Sequence, residues 1–307
     1  MSLSGNYFTT STTSLFTNQL SQAALFALYE QSIAREVGTI YDIVNTQGKT
    51  VQVPVFGRAQ VTATTEGAIM SIDDQWKPTT ETINVAEYAT AATISDQIRE
   101  TSAYDLATQL GNVMGGALAQ QMDSTAFAAF ANFQPASGIT AGTSELTASA
   151  FFKMAAQLRA NLAPQAQGYI GIFHPYVVYN LKRELAGYGG SQLNNPSNLG
   201  NEALQTGYVG TIAGIKIYES TVVPAGSLST SKLGAVFSPA ALGIALKRDI
   251  RLETQRQALK RGEDVVGSMV MGASALGPVD GSSYSTWGVQ VDLDASTSNF
   301  AVGTNTD

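Results

Sequence analysis

One stretch constrains the fold more than any other. Residues 95–132 read SDQIRETSAYDLATQLGNVMGGALAQQMDSTAFAAFAN, and Ile94, Ile98, Leu106, Leu110, Met114, Leu118 and Met122 fall mostly four apart, with Ser102 polar at the one gap. That spacing lays a single apolar stripe along a helix face, so the stretch predicts a short helix followed by a long one with a core-facing seam. Ser102 and Asp105 supply a hydroxyl and a carboxylate for the unpaired amides of a first turn. From 102 to 132 a straight helix would reach roughly 46 Å at about 1.5 Å per residue, the width of a whole domain. Gly111, Gly115 and Gly116 fall inside it without the spacing of a dinucleotide fingerprint, and suit a close helix crossing or a bend.

A rod of that length needs a large body beside it. The chain has 307 residues, 44% of them apolar, enough for one large or two ordinary domains of about 150 residues each. Only 13% are charged, against about 25% in soluble proteins generally. Much of the surface is therefore uncharged polar or contact with another chain, which suits a subunit. Lys and Arg total 17 against 24 Asp and Glu, an acidic balance that lacks the basic excess of a dedicated nucleic-acid binder. The absence of cysteine excludes disulfides, thiolate metal sites and a cysteine nucleophile. No apolar run approaches the roughly 20 residues of a membrane span, and the N-terminus has no signal-peptide pattern, so the chain is expected to stay in the cytosol where it is made, with no membrane partner.

Taken in order, residues 1–20 hold no charge and nine Ser or Thr, with Tyr7, Phe8, Leu15 and Phe16 among them. They read either as a disordered terminus or as an arm whose aromatics dock on a neighbour. Residues 21–37 have helical spacing, with Gly38 as a stop. Residues 50–63 and 79–93 are rich in Val, Ile and Thr and predict two strands, each about 45 Å if extended at roughly 3.3 Å per residue. Pro54 and Gly57 break the first, as on an edge. Between them, 64–78 carry Glu66, Asp73, Asp74 and Trp76 and read as a tip. Such a long two-stranded arm needs a surface to lie on, and another copy of the protein is the favoured one.

After the long helix, 133–147 read as a polar connection, 149–162 as a helix ended before Pro164, and 168–173 as a buried strand. His174-Pro175 opens a helix closed at Gly187, which together suggest an α/β unit. Residues 187–207 are rich in Gly and Asn and read as a long exposed loop. Strands are expected at 211–218 and 234–237, on either side of a turn at 223–226. In 241–253, Leu242, Ile244, Leu246, Ile250 and Leu252 form one apolar face that Arg248 interrupts, while Lys247, Asp249, Arg251 and Glu253 charge the other. Residues 265–276 return as a strand, with Arg261-Gly262-Glu263-Asp264 as the turn between. A last strand at 287–293 precedes a floppy end.

Candidate chemistry is thin. The single histidine, His174, stands before Pro175 at a helix start, where capping or packing outweighs general-base work. Gly272-Ala-Ser274-Ala-Leu-Gly277 misses a nucleophile elbow by one place. Gly48-Lys49-Thr50 resembles the end of a phosphate loop, but Ile43 stands where its first Gly belongs. Asp73 and Asp74 have no further spaced ligands for a cation. Six of the 17 positive charges, Lys247, Arg248, Arg251, Arg256, Lys260 and Arg261, alternate with Asp249 and Glu253, which favours protein contact over a phosphate track. No catalytic, cofactor-binding or metal residue is assigned, and no enzyme activity is expected.

The residues Ile94-Ser95-Asp96-Gln97-Ile98-Arg99-Glu100-Thr101-Ser102-Ala103-Tyr104-Asp105-Leu106, followed by Ala117-Leu118-Ala119-Gln120-Gln121-Met122-Asp123, resemble the spine-helix region of tailed-phage major capsid proteins of the Johnson fold. Residues 210–224 (GTIAGIKIYESTVVP) and 245–255 (ALKRDIRLETQ) resemble later parts of the same family, and the likeness in element order covers 21–276.

The resemblance implies an α+β fold: an N-terminal arm (1–20), a lead-in helix (21–49), a long extended β-hairpin loop (50–93), a peripheral domain with the spine helix (94–163), an α/β axial domain (164–239), long strands returning to the peripheral domain (240–276), and a C-terminal strand and tail (277–307). It implies hexamers and pentamers closing into an icosahedral virion shell around packaged double-stranded DNA that is enclosed without being gripped. A separate scaffolding protein, a portal and a possible decoration protein are the expected partners, with assembly in the host cytoplasm. Neither Lys49 nor Lys77 matches the lysine–asparagine crosslink of some members. Across copies, Glu66, Asp73, Asp74 and Trp76 of the arm tip are expected to meet Arg256, Lys260 or Arg261. The alternatives are an encapsulin-like nanocompartment enclosing a protein cargo, and an enzyme or glycan-binding module using the 187–207 loop.

Overall fold

A computed structural model describes residues 32–44, 48–56, 79–101, 106–190, 210–280 and 284–296, with the single positions Gln22, Ala24, Ala63, Glu66 and Gly67. A helix at Ile33–Val37 is followed by β1 (Thr39–Asp42), β2 (Thr50–Val55), β3 (Thr79–Asn84) and β4 (Ala86–Ser95). A short helix Asp96–Thr101 and the spine helix Leu106–Ala128 come next, then a 3-10 turn Ala129–Asn132 and β5 (Phe133–Pro135). Helix Ala148–Ala160, β6 (Tyr169–Phe173) and helix Pro175–Gly190 lead to β7 (Thr211–Ile212), β8 (Ile215–Glu219) and β9 (Ser231–Phe237). The chain ends with β10 (Leu242–Gln257), β11 (Gly262–Ala275), β12 (Val279–Asp280) and β13 (Tyr284–Asp294).

The short-then-long helix expected of 95–132 is present, and its seam faces a four-stranded sheet ordered β1-β10-β11-β4. Met114, Leu118, Ala119 and Met122 pack on Leu246, Ile250, Val265, Met269 and Met271, the helix-facing residues of β10 and β11. Ile98 departs from the stripe: it is exposed, because the short helix has already left the sheet. The start signal at Ser102 and Asp105 lies outside the described residues. Close packing accounts for Gly115, where a Cβ would come within 2.3 Å of the Ala24 carbonyl oxygen.

Arg248 does not break the apolar face. Two register shifts, between Leu246 and Arg248 and between Arg248 and Arg251, each slip β10 against β11. A one-residue slip moves a side chain to the other face of a sheet. The first shift places Arg248 opposite Val270, on the face where its guanidinium reaches Glu87 and, at 2.9 Å, Ser268 Oγ. The second returns Ile250 to the spine helix beside Met269.

The second body is a seven-stranded sheet ordered β12-β13-β9-β6-β8-β7, with β5 added parallel to β13. β6 and β8 run parallel with helix Pro175–Gly190 between them, the expected α/β unit. Every residue of β6 is buried because both sheet faces are covered. On one side Tyr169 and Phe173 meet Phe151, Met154 and Leu158 of helix Ala148–Ala160 and Val177, Val178 and Leu181 of the next. On the other, Ile170 and Ile172 meet Phe127, Phe130, Phe133 and Phe237, whose rings pack 5.2–5.8 Å apart in adjoining pairs. Leu242, Ile244 and Ala275 join this second cluster, so the two bodies share a core at the root of β10 and β11.

Several expected boundaries shift. The 133–147 connection contains β5, because Phe133 is needed in the aromatic cluster. The helix opened at Pro175 continues past Gly187 to Gly190, and 191–209 lie outside the described residues. The expected arm pairs over six residues, Thr50–Val55 against Thr79–Asn84. At Val85 the return segment leaves that hairpin and becomes β4 of the four-stranded sheet. The turn expected at 261–264 lies at 258–261, and Gly262 to Asp264 already belong to β11. The N-terminal segment 1–20 is outside the described residues.

Candidate subunit interface

The basic cluster singled out in the sequence sits where β10 and β11 project furthest from the shared core. Their turn closes with Arg261 in the left-handed region (φ 48°) and its N–H donating to Ala258 O at 3.2 Å. Leu259 stands fully exposed on that turn, an apolar side chain with nothing of its own chain to cover it among the described residues. Arg256 makes a two-pronged contact with Asp96, at 2.9 and 2.8 Å, and the Asp96 N–H donates to Arg261 O at 2.9 Å. Lys260 pairs with Asp264 at 3.4 Å, and Asp264 accepts from the Thr93 hydroxyl at 2.6 Å. That hydroxyl first, and Lys260 after it, hold the Asp264 carboxyl below its ordinary value. The turn is thus fastened to the end of β4 and the start of the short helix.

Sequence reasoning brought Arg256, Lys260 and Arg261 together, and the structure places all three on this turn or its last strand residues. It does not isolate them: Arg256 and Lys260 have acidic partners in their own chain, while no carboxylate among the described residues pairs with Arg261. Glu66 is exposed, and Asp73, Asp74 and Trp76 lie outside the described residues.

Asp123, one residue beyond the apolar stripe, has a part that sequence reasoning missed. Its carboxylate is buried and accepts from the Ser32 hydroxyl (2.8 Å), the Ala34 N–H (2.9 Å) and the Ile33 N–H (3.2 Å). It therefore ties the first turn of helix Ile33–Val37 to the spine helix. Burial pushes this carboxyl up, against the three donors that pull it down. The only local signal was a charged residue next to Met122 on an otherwise uncharged helix.

His174 serves as a cap: its Nδ1 accepts the Tyr176 N–H at 3.2 Å, and the two rings meet edge-on. Burial, with the Lys232 charge behind it, lowers its pKa below the ordinary histidine value. Among the described residues no group of three or more His, Asp or Glu could hold a metal ion, and no helix is long and apolar enough to cross a membrane.

A family model described as "Phage capsid protein" matches residues 79–280. In solved structures the chain is similar to the capsid of the cyanophage P-SCSP1u, at 21% identity and TM-score 0.61, covering 86% of this chain and 89% of that one. It is similar to a structure from Mycobacterium phage Che8 at 16% identity and TM-score 0.63, covering 86% and 92%. It also resembles a virus-like particle from Pyrococcus furiosus at 12% identity and TM-score 0.55, covering 90% and 99%. These likenesses concern the fold. No curated protein matches. The family match spans β3 to β12, including the spine helix, both helices of the second body and the β10–β11 turn. The chain belongs to the phage capsid protein family, with the Johnson fold of tailed-phage major capsid proteins.

Proposed function

We propose that the chain is the main shell subunit of a tailed phage, assembling into hexamers and pentamers that close around packaged double-stranded DNA. The family match over 79–280 carries this reading. The domains follow the order given by the resemblance, with the four-stranded sheet and spine helix as the peripheral domain and the seven-stranded sheet as the axial one. A separate scaffolding protein and a portal act in assembly in the host cytoplasm, a decoration protein is a further candidate partner, and the finished subunit resides in the virion. An acidic chain suits a container that must hold DNA without gripping it.

Contacts between copies include the arm tip, with Glu66, Asp73, Asp74 and Trp76 meeting Arg256, Lys260 and Arg261 of a neighbour. Arg261, which has no acidic partner among the described residues, is the first of these to test. Electron microscopy of the purified chain, with the scaffolding protein co-expressed, is the decisive experiment: closed shells are expected, and a small oligomer that never closes would overturn the reading. The likeness to the archaeal virus-like particle supports a second reading, a shell around a protein cargo; particles that carry protein and no DNA would select it.

A further inference from the structure

Where β1 ends and the β2–β3 hairpin begins, Lys49, Glu87, Lys247 and Arg248 share a cleft with the apolar side chains of Val85 and Val270. The cleft has a volume of about 490 Å³, within the roughly 300–1,000 Å³ of small-ligand sites. It sets three cations against one carboxylate, in a chain whose Asp and Glu outnumber Lys and Arg by 24 to 17. In a regular strand consecutive side chains point to opposite faces, so Lys247 and Arg248 could not both line it. The register shift in β10 removes that obstacle. Leu246 pairs with Met271 and Arg248 with Val270, and Lys247 between them has no partner in β11. The bulge thus turns two consecutive cations toward one cleft.

Around the four-stranded sheet most other cations are matched. Arg35 pairs with Asp249, Arg251 with Glu253, Arg256 with Asp96 and Lys260 with Asp264. Inside the cleft Glu87 serves Arg248, whose guanidinium also donates to Ser268 Oγ at 2.9 Å. The Nε of that guanidinium is buried without a hydrogen-bond partner, so Glu87 and Ser268 do not exhaust its donors. Lys49 and Lys247 pair with no carboxylate among the described residues. They are held together all the same, because the Lys247 ammonium donates to Gly48 O, the carbonyl of the residue that precedes Lys49. Two unpaired ammonium groups in one cleft repel each other, and an anion between them relieves that repulsion.

We propose that this cleft binds a phosphate dianion, with Lys49 and Lys247 as its ligands and Arg248 adding to the positive field. The site lies within one subunit, so the proposal does not depend on the shell reading. A phosphate group near neutral pH carries roughly −1.5 to −2 charge and three acceptor oxygens, close to the two charges that stand unpaired. A single carboxylate would neutralise only one of them. Lysines hold phosphate as point charges on flexible stems. Gly48-Lys49-Thr50, which lacks the first glycine of a phosphate loop, thus meets phosphate through the Lys49 side chain and not through a cradle of amides. The dianion is either free phosphate or the terminal group of a small ester; the backbone phosphates of DNA carry a single charge each and fit the pair of lysines less well.

Phosphorus NMR titration of the unassembled full-length subunit, at constant ionic strength, tests this. Inorganic phosphate and glycerol 3-phosphate are the probes: saturable binding of both marks a site for a terminal group, and of inorganic phosphate alone a site for the free ion. Lys49→Gln should weaken the affinity by roughly tenfold or more. The Lys49 side chain makes no hydrogen bond among the described residues, so this variant keeps the test valid should Lys247→Gln disturb the turn at Gly48. Lys247→Gln should lose affinity to the same extent, and Lys216→Gln, on β8 of the other body, should bind as wild type does. Absence of saturable binding for both probes, or binding that survives Lys49→Gln and Lys247→Gln alike, would overturn the proposal. So would tighter capture, through the same lysines, of duplex DNA without terminal phosphates or of a hexaglutamate peptide, since the cleft would then serve a nucleic-acid backbone or a protein carboxylate.

Discussion

The seven-stranded body and the four-stranded sheet solve the burial problem in opposite ways. In the first, helices lie on one face and an aromatic cluster on the other, and the central strand β6 has no exposed residue. In the second, the spine helix covers one face; on the other the β2–β3 hairpin buries Ala245 near the root, while Arg251, Glu253 and Glu87 further out face solvent, and β4 leaves an open edge. A sheet covered on both sides is complete within one chain. A sheet whose far half is covered on one side only, with a flat edge and an exposed leucine at its far turn, is complete only in company. The difference maps stability onto one region and association onto the other.

The largest effect that can break this contrast lies in the aromatic cluster. Phe130→Ala is expected to remove about 3–5 kcal/mol, because its fully buried ring packs against Phe127, Phe133 and Phe237. Urea unfolding of the unassembled subunit reads this directly, and a loss below about 1 kcal/mol would mean that the cluster is not the shared core described above. Gly272→Ala comes next. A Cβ there would sit 2.0 Å from the Asn84 carbonyl oxygen, which is backbone and cannot swing away. About 1–3 kcal/mol of destabilisation is expected, with faster hydrogen exchange at 79–85, where the hairpin joins the sheet.

Asp123→Asn should cost about 1–3 kcal/mol, because an amide facing the Ile33 N–H leaves that donor unpaired. The cost should also depend on pH. Burial raises the folded-state carboxyl above its unfolded value, so the folded chain holds the proton more tightly than the unfolded one between those two values. Wild type therefore loses stability relative to Asp123→Asn as pH climbs from roughly 3.9 toward the raised value, and the gap is constant above it. Thermal unfolding of both chains at pH 4 and pH 7 checks the sign: the wild-type advantage should be larger at pH 4. The smallest effect belongs to Arg256→Gln. The pair with Asp96 is exposed, so the melting temperature of the unassembled subunit should not move measurably. Any effect should show in shell assembly, and a marked drop in subunit stability with normal assembly would reverse the assignment of this turn.

What the sequence made legible was local periodicity. The spine helix, β6 and the helix after His174-Pro175 follow from spacing and from residues that start or stop elements. What it hid depends on distant chain. Gly262 suggested the turn, yet the left-handed residue is Arg261. Gly262 stands in β11 because a Cβ would come within 2.7 Å of the Ile94 carbonyl oxygen, a neighbour from another strand. Arg248 looked like a break in an apolar face because a bulge leaves no mark in a single strand's alternation. The division of 79–93 at Val85 was likewise invisible, since both halves are strand and only their partners differ. At the interface, residue types were legible: the basic turn was found as a cluster of charge. Its ties to Asp96 and Asp264, and the open edge of β4, belong to pairing and could not be read from composition.

Hydrogen exchange compared between unassembled subunits and closed shells tests the central contrast most directly. The amides of Glu87, Ala89, Ala91 and Thr93, which point away from β11, should exchange readily in the subunit and become protected in the shell, while those of β6 and β9 are already protected and change little. If the β4 amides exchange at the same rate in both states, or if protection rises equally across both bodies, the division into a self-sufficient region and one completed by its neighbours is wrong.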